Sequence, residues 1–298
     1  PFLELLAGRT QVVAVVSQPD KPAGRSLKVE PTPVKRKALE LGLAVLQPAR
    51  PSEAAARLQG LAPDLAVAVA YGRLLKKDVL AIPRLGTLNV HFSLLPAYRG
   101  AAPVQWSLSQ GETKSGVTVF WLDEGMDTGP VFVTREVEIS PDDDARALFE
   151  KMRGPSLAAL DDALGRVMRG EIIKIPQSGE ASFAPLIKRE DAKLSLSLPA
   201  AQVHNTVRAF CLWPKAFLEL KGGKRLIVLK TRVEARGGEG PAGGIVSIAP
   251  SGGVLVQCAL GSRLWFLSVQ PEGKKQVSAA DFLNGLRLGA GDFFPIAQ

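Results

Sequence analysis

Short apolar runs rich in β-branched residues recur at 12–17, 65–70, 87–91 and 116–121, each of a length that suits a buried strand. Stretches of helical character lie around them at 1–7, 34–41 and 101–110. Strands alternating with helices predict an α/β domain with a mostly parallel sheet, whose ligands bind beyond the carboxyl ends of the strands. Residues 131–139 read as an edge strand or hairpin arm. Pro141-Asp142-Asp143-Asp144 then starts a helix, acidic side chains being favourable at that end. The helical pattern runs to about 169, with an interruption expected at Gly154-Pro155. Periodicity is lost over 172–190, which reads as a linker. After an amphipathic helix at 200–210, β-rich runs at 225–233, 244–248, 254–258 and 263–269 follow. Gly222-Gly223, Gly237-Gly238 and Gly252-Gly253 separate them, the pattern of a small barrel. The expected division is a domain over 1–171, a linker over 172–190 and a second domain over 191–298.

A chain of 298 residues suffices for two domains with separate cores. No apolar run approaches the roughly 20 residues that span a bilayer, and no secretory signal is visible, so no membrane partner is expected. The two cysteines, Cys211 and Cys258, have neither metal spacing nor a paired framework. A reducing cytoplasm is the simplest reading, and no metal site is expected. The acidic clusters at 142–144 and Asp161-Asp162 read as helix-end and surface charges. The net charge of +8 is uneven. Residues 1–190 hold 24 basic and 22 acidic side chains, whereas 191–298 hold 13 and 7. A basic domain beside a near-neutral one suggests a footprint for a polyanion, against the plainer reading of a soluble basic surface.

Candidate chemistry centres on one of only two histidines. His91 ends the predicted strand 87–91, two residues after Asn89, so alternation sets both on one face. An amide donor and a titratable imidazole then point into one space, and a distant carboxylate could fix the tautomer. A lone histidine near a strand end is more often a satisfied structural residue than a catalyst. The surrounding pattern decides otherwise. NVHFSLLPAYRGAAPVQWSL, followed by GVTVFWLDEGMDTGP with Asp127, closely resembles the signature of the folate-dependent formyltransferases. Further matching stretches are VSQPDKPAGRSLKVEPTPVK, VAYGRLL, RAFCLWPKAFLEL and LSVQPEGKKQVSAADFLNG, which together span nearly the whole chain.

The resemblance implies a Rossmann-like catalytic domain with a mostly parallel sheet, then a small OB-like β-barrel. It implies Asn89, His91 and Asp127 as the catalytic set and 10-formyltetrahydrofolate as formyl donor, with no metal. Ser93, Leu94, Leu95 and Pro96 would sit against the folate, with Tyr71, Gly72, Arg73 and Leu74 on a second folate-facing loop. For these leucines core packing is the competing reading. Within the family the chain is similar to the members that formylate initiator methionyl-tRNA, and a cytoplasmic monomer is expected. The basic stretch 18–37 resembles the insertion that reaches the acceptor stem in those members, and Arg25, Lys21 and Lys28 are its candidate contacts. Lys215, Lys221, Lys224 and Arg225 are candidate phosphate contacts in the second domain. Trp213 reads as an interior anchor of the barrel. Trp106, Phe120 and Met126 are candidates for a methionine pocket by proximity in sequence alone. Arg99 could hold the loop or the substrate. Phe92 departs from the small residue usual after this histidine, and alternation turns it away from His91. Relatives begin with a strand and a Gly-Thr-Pro-type loop, whereas this chain opens at Pro1 on a helix. The expectation is that the native N-terminus precedes Pro1 and that the sheet lacks an interior strand. Two alternatives stay open: a formyltransferase or folate hydrolase acting on a small molecule, and a basic RNA-binding protein with an inactive α/β half.

Overall fold

In the computed structural model, which describes residues 1–23 and 28–296, the strand Thr87–His91 pairs on both sides. It runs parallel to Ala66–Val69, with Val69 opposite Val90, and antiparallel to Lys114–Trp121, with His91 opposite Thr118. Val131–Glu138 completes a four-stranded sheet in the order 66–69, 87–91, 114–121, 131–138. A second parallel pair joins Val15–Val16 to Val45–Leu46. The strand Lys114–Trp121 reads as a continuous apolar run because Val117, Val119, Phe120 and Trp121 are all buried, on both faces of the sheet. Helix Ala145–Met168 presents Met152, Ala159, Leu160, Ala163 and Leu164 to the interior, the spacing of one helical face. Burying each such leucine contributes about 1.5–3 kcal/mol.

By contact the chain divides into two compact units. The first contains residues 1–101, 116–137 and 152–183, and the second contains 102–115, 138–151 and 184–298. The first is the α/β unit. The second is built on an antiparallel sheet of six strands among the described residues. Its path runs Phe217–Glu219, Arg225–Glu234, Arg263–Pro271, Val254–Gln257, Ile245–Ile248, with Val277–Ser278 on Arg263–Pro271. Leu226, Val228, Val254, Val256, Leu264 and Phe266 alternate inward from this sheet and pack with Val203 and Val207 of helix Ala200–Ala209. That helix lies against Pro103–Gln110, where Trp106 meets Phe210 edge-on at 6.0 Å.

Two local expectations change, at Pro155 and at Trp213. The helix Ala145–Met168 is continuous through Pro155 instead of interrupted, and the Ser156 hydroxyl donates to the Arg153 carbonyl within it. The basic stretch after Gln18 is a short hairpin, Lys21–Ala23 against Lys28–Glu30, whose tip lies outside the described residues. Trp213 is 56% exposed instead of interior. The core of that sheet is filled by Phe266 and Phe294 without it.

Candidate active site

The parallel ladder between Ala66–Val69 and Thr87–His91 brings the carboxyl ends of both strands to one sheet edge. The segments after Val69 and after His91, which carry the eight candidate donor-binding residues, therefore open on the same edge.

His91 is 5% exposed and packs edge-on against Phe120, with ring centroids 6.3 Å apart. Its Nε2 lies 2.8 Å from the Tyr98 carbonyl. A carbonyl can only accept, so Nε2 carries the proton. The other nitrogen, Nδ1, faces Asp127 Oδ2 at 3.5 Å, which is an ion-pair distance and not a hydrogen bond. That same carboxylate oxygen accepts the Gly100 N–H at 2.7 Å. The ring is thus oriented by Tyr98, and Asp127 supplies a charge beside the nitrogen that remains open. Tyr98 and Asp127 both adopt positive φ, at 59° and 54°. For residues with a side chain this costs about 1–2 kcal/mol each, so the surrounding bonds must hold both in place.

Asn89 is half-buried on the same strand, and among the described residues its side-chain amide has no hydrogen-bond partner. A donor without a partner on the same strand face as an imidazole suits a developing oxyanion.

The loop after His91 is braced from behind. Thr118, opposite His91 in the sheet, donates its hydroxyl to the Ser93 carbonyl at 2.7 Å and accepts the Leu95 N–H at 3.1 Å. Ser93 is fully buried and donates to the Ala97 carbonyl at 2.6 Å, so its hydroxyl holds the loop from within. Leu94, Leu95 and Pro96 are half-buried and form the loop's outer part. On the neighbouring segment Tyr71 is half-buried, Gly72 and Arg73 are exposed, and Leu74 is 64% exposed. The Tyr71 carbonyl accepts from Gln18 Nε2 at 2.7 Å. An open cavity of about 460 Å³ lies at this edge, lined by Leu74, Leu75, Lys76, Lys77, Asp78 and Glu124. Its volume suits a small organic ligand, and its lining stops short of His91.

Other candidates are more scattered. Lys21 is exposed on its hairpin arm and donates to Gln18 Oε1 at 3.0 Å. Lys28 lies on the opposite arm, and Arg25 lies outside the described residues. In the second unit Lys215 is half-buried and Lys224 exposed, while the Arg225 guanidinium stands 4.9 Å over the Phe217 ring. Phe120 is fully buried and cannot line an open methionine pocket, whereas Met126 is 57% exposed. Arg99 holds Gln177. The Tyr98 carbonyl, the Gly100 N–H and Gln177 were not legible in the sequence, because backbone groups and a lone glutamine carry no pattern. The one available hint was Gly100 in its punctuated loop.

Burial lowers the proton affinity of His91, with Asp127 and the Tyr98 carbonyl pulling the other way. Burial also lowers that of His204, where Arg208 adds to the effect, and the Pro141 backbone and Asp142 oppose it. Both histidines are therefore neutral in the resting fold near neutral pH. As pH falls through about 6.5, the unfolded chain takes up protons that the fold resists, so stability is lost on the acid side. His204→Gln is expected to flatten part of the decline in Tm between about pH 7.5 and 5. Calorimetry across that range checks this, and parallel curves for variant and parent would refute it. Cys258 lies buried with its thiol pushed up to about 11, well away from a reactive thiolate.

The formyl transferase family model matches residues 4–164, and the model for the formyl transferase C-terminal domain matches 186–287. The methionyl-tRNA formyltransferase of Myxococcus xanthus is 44% identical, over 94% of this chain and 89% of its own. That of Thermus thermophilus is 43% identical, over 98% and 94%. Among solved structures, an N-formyltransferase from Helicobacter canadensis in complex with folinic acid and dTDP-3-aminofucose superposes with a TM-score of 0.66 at 18% identity, over 91% and 94% of the two chains. HypX from Aquifex aeolicus in complex with tetrahydrofolic acid gives 0.61 at 20% identity, over 85% of this chain and 44% of that one. At such identities the two structures speak for the fold. The family models cover both parts of the chain, and the relatives match it almost end to end: the chain belongs to the formyl transferase family.

Proposed function

We propose that the chain transfers a formyl group from 10-formyltetrahydrofolate to the amino group of initiator methionyl-tRNA, by direct attack of the amine. The observation that carries the chemistry is the His91 ring with Nε2 bonded to Tyr98 and Nδ1 beside Asp127, on one strand with Asn89, whose amide has no hydrogen-bond partner among the described residues. The amine nitrogen bonds to the formyl carbon, and the carbonyl electrons move onto oxygen. Asn89 donates to that oxyanion. His91 Nδ1 takes the proton that the attacking nitrogen sheds, and Asp127 stabilises the charged ring. The bond from the formyl carbon to nitrogen 10 then breaks, and His91 returns the proton to the departing nitrogen. No covalent enzyme intermediate is needed.

The acceptor rests on the names of the relatives at 44% and 43% identity and on the basic excess after residue 190. The donor rests on the family and on the loops after Val69 and His91, whose backbone and apolar atoms suit a flat pterin. Lys21, Arg25, Lys28, Lys215, Lys224 and Arg225 are the proposed tRNA contacts, and a cytoplasmic monomer is the proposed working form. No helix among the described residues is long and apolar enough to cross a membrane.

The test is transfer of labelled formyl from 10-formyltetrahydrofolate to charged initiator tRNA. Transfer is expected, with tRNA affinity falling steeply with salt while donor binding changes little. Donor binding without transfer to any aminoacyl-tRNA would overturn the acceptor and favour a small-molecule amine.

A further inference from the structure

We propose that Gln177 is a positioning residue of the formyl-transfer site, locking the backbone around Asp127 and so setting where its carboxylate stands relative to His91. This rests on the roles given above to those two residues. The Gln177 Nε2 donates to the carbonyls of Asp127 and Gly129, each at 2.8 Å. Its Oε1 accepts from Arg99, Nε at 3.1 Å and Nη2 at 2.6 Å. Carbonyls only accept and a guanidinium only donates, so the amide has one possible orientation.

The location gives the contacts their meaning. Arg99 follows Tyr98, whose carbonyl holds His91 Nε2, and precedes Gly100, whose N–H holds Asp127 Oδ2. The same stretch is tied again by Ser182, whose hydroxyl accepts the Tyr98 N–H and whose carbonyl accepts the Arg99 N–H, both at 2.9 Å. Gln177 therefore joins the two loops that define the surroundings of the two ring nitrogens. Asp127 needs such a brace because its φ of 54° is costly. The far limb of its loop is held separately, where Asp123 accepts from Gly125 N at 3.0 Å and Thr128 Oγ1 at 2.7 Å. A glutamate at 177 would keep the length and the Arg99 contact but turn a carboxylate oxygen onto two carbonyl oxygens.

The experiment measures formyl transfer by Gln177→Ala and Gln177→Glu beside His91→Ala and Asp127→Asn. Both Gln177 variants should lose kcat on the order of 10- to 100-fold, as about 1 Å of misplacement does, with KM for both substrates held within about 3-fold. The second readout is the NMR titration of the His91 ring, accessible in a chain with two histidines. Asp127 is the charged group that raises the proton affinity of that ring, so its displacement should lower the His91 midpoint and leave His204 unmoved. If Gln177→Ala does not fold, Gln177→Met, which adds no charge, carries the test. Retained kcat, a rise in KM alone, or a lost kcat with an unmoved His91 midpoint would each overturn the proposal. Full transfer by His91→Ala and Asp127→Asn would instead overturn the underlying site. Loss in those two with normal Gln177 variants would overturn only the positioning role.

Discussion

His91→Ala is expected to lower kcat for formyl transfer by about 10²- to 10⁴-fold, the usual contribution of a positioned acid–base group. In the proposed mechanism the ring has two tasks. It must accept a proton from the attacking amine and pass it to the leaving nitrogen. A resting neutral state is required for the first task, and burial provides it. Stabilisation of the charged state is required for the second, and Asp127 at 3.5 Å provides that. Alanine removes both tasks and leaves the Tyr98 carbonyl without its donor. Because His91 is buried and is assigned to the reacting atoms alone, KM for tRNA should change little. Steady-state kinetics on initiator methionyl-tRNA, with a melting curve to verify folding, give the answer. A kcat within about 3-fold of the parent would remove His91 from the mechanism.

Asn89→Ala should cost about 10²- to 10³-fold in kcat, equivalent to about 2.7–4 kcal/mol of oxyanion stabilisation. Asn89 sits half-buried with its amide unpartnered, so the loss should fall on the transition state and spare ground-state binding. Asn89→Asp separates shape from chemistry. It preserves volume but replaces the donor with an acceptor and sets a negative charge against the developing oxyanion, so its loss should be at least as large. The double variant with His91→Ala should fall well short of the product of the single effects, since both residues serve one intermediate. A KM effect with kcat intact would identify Asn89 as a binding residue.

Much of this architecture was legible in the chain. The strand at 87–91 was read to the residue, because alternation and a Pro/Gly-rich loop mark both ends. The buried strand through Val117 and Val119 announced itself as an apolar run, and the second domain through its glycine turns. The continuous helix through Pro155 was not legible, because neighbouring structure can override the local penalty of a proline. Trp213 misled for a related reason: large and aromatic, it reads as core, while the barrel is already filled by phenylalanines. The candidate site was legible in its proposed side chains and not in their supports. Asn89 and His91 stand out by alternation on one strand, and Asp127 through the family resemblance. The Tyr98 carbonyl could not, since every residue has one and only a positive φ aims this one at the ring.

Two glycines illustrate how a mutational record of this enzyme should be read. At Gly116 a Cβ would run into the Arg135 carbonyl and Leu94, and at Gly129 into the Trp121 carbonyl. Neither glycine has a side chain for chemistry, yet each fixes how closely the chain can approach a segment of the candidate site. Intolerance to substitution at these two positions would therefore be a statement about clearance between neighbouring segments, and ranking residues by sensitivity alone would place them beside His91 among the chemical groups.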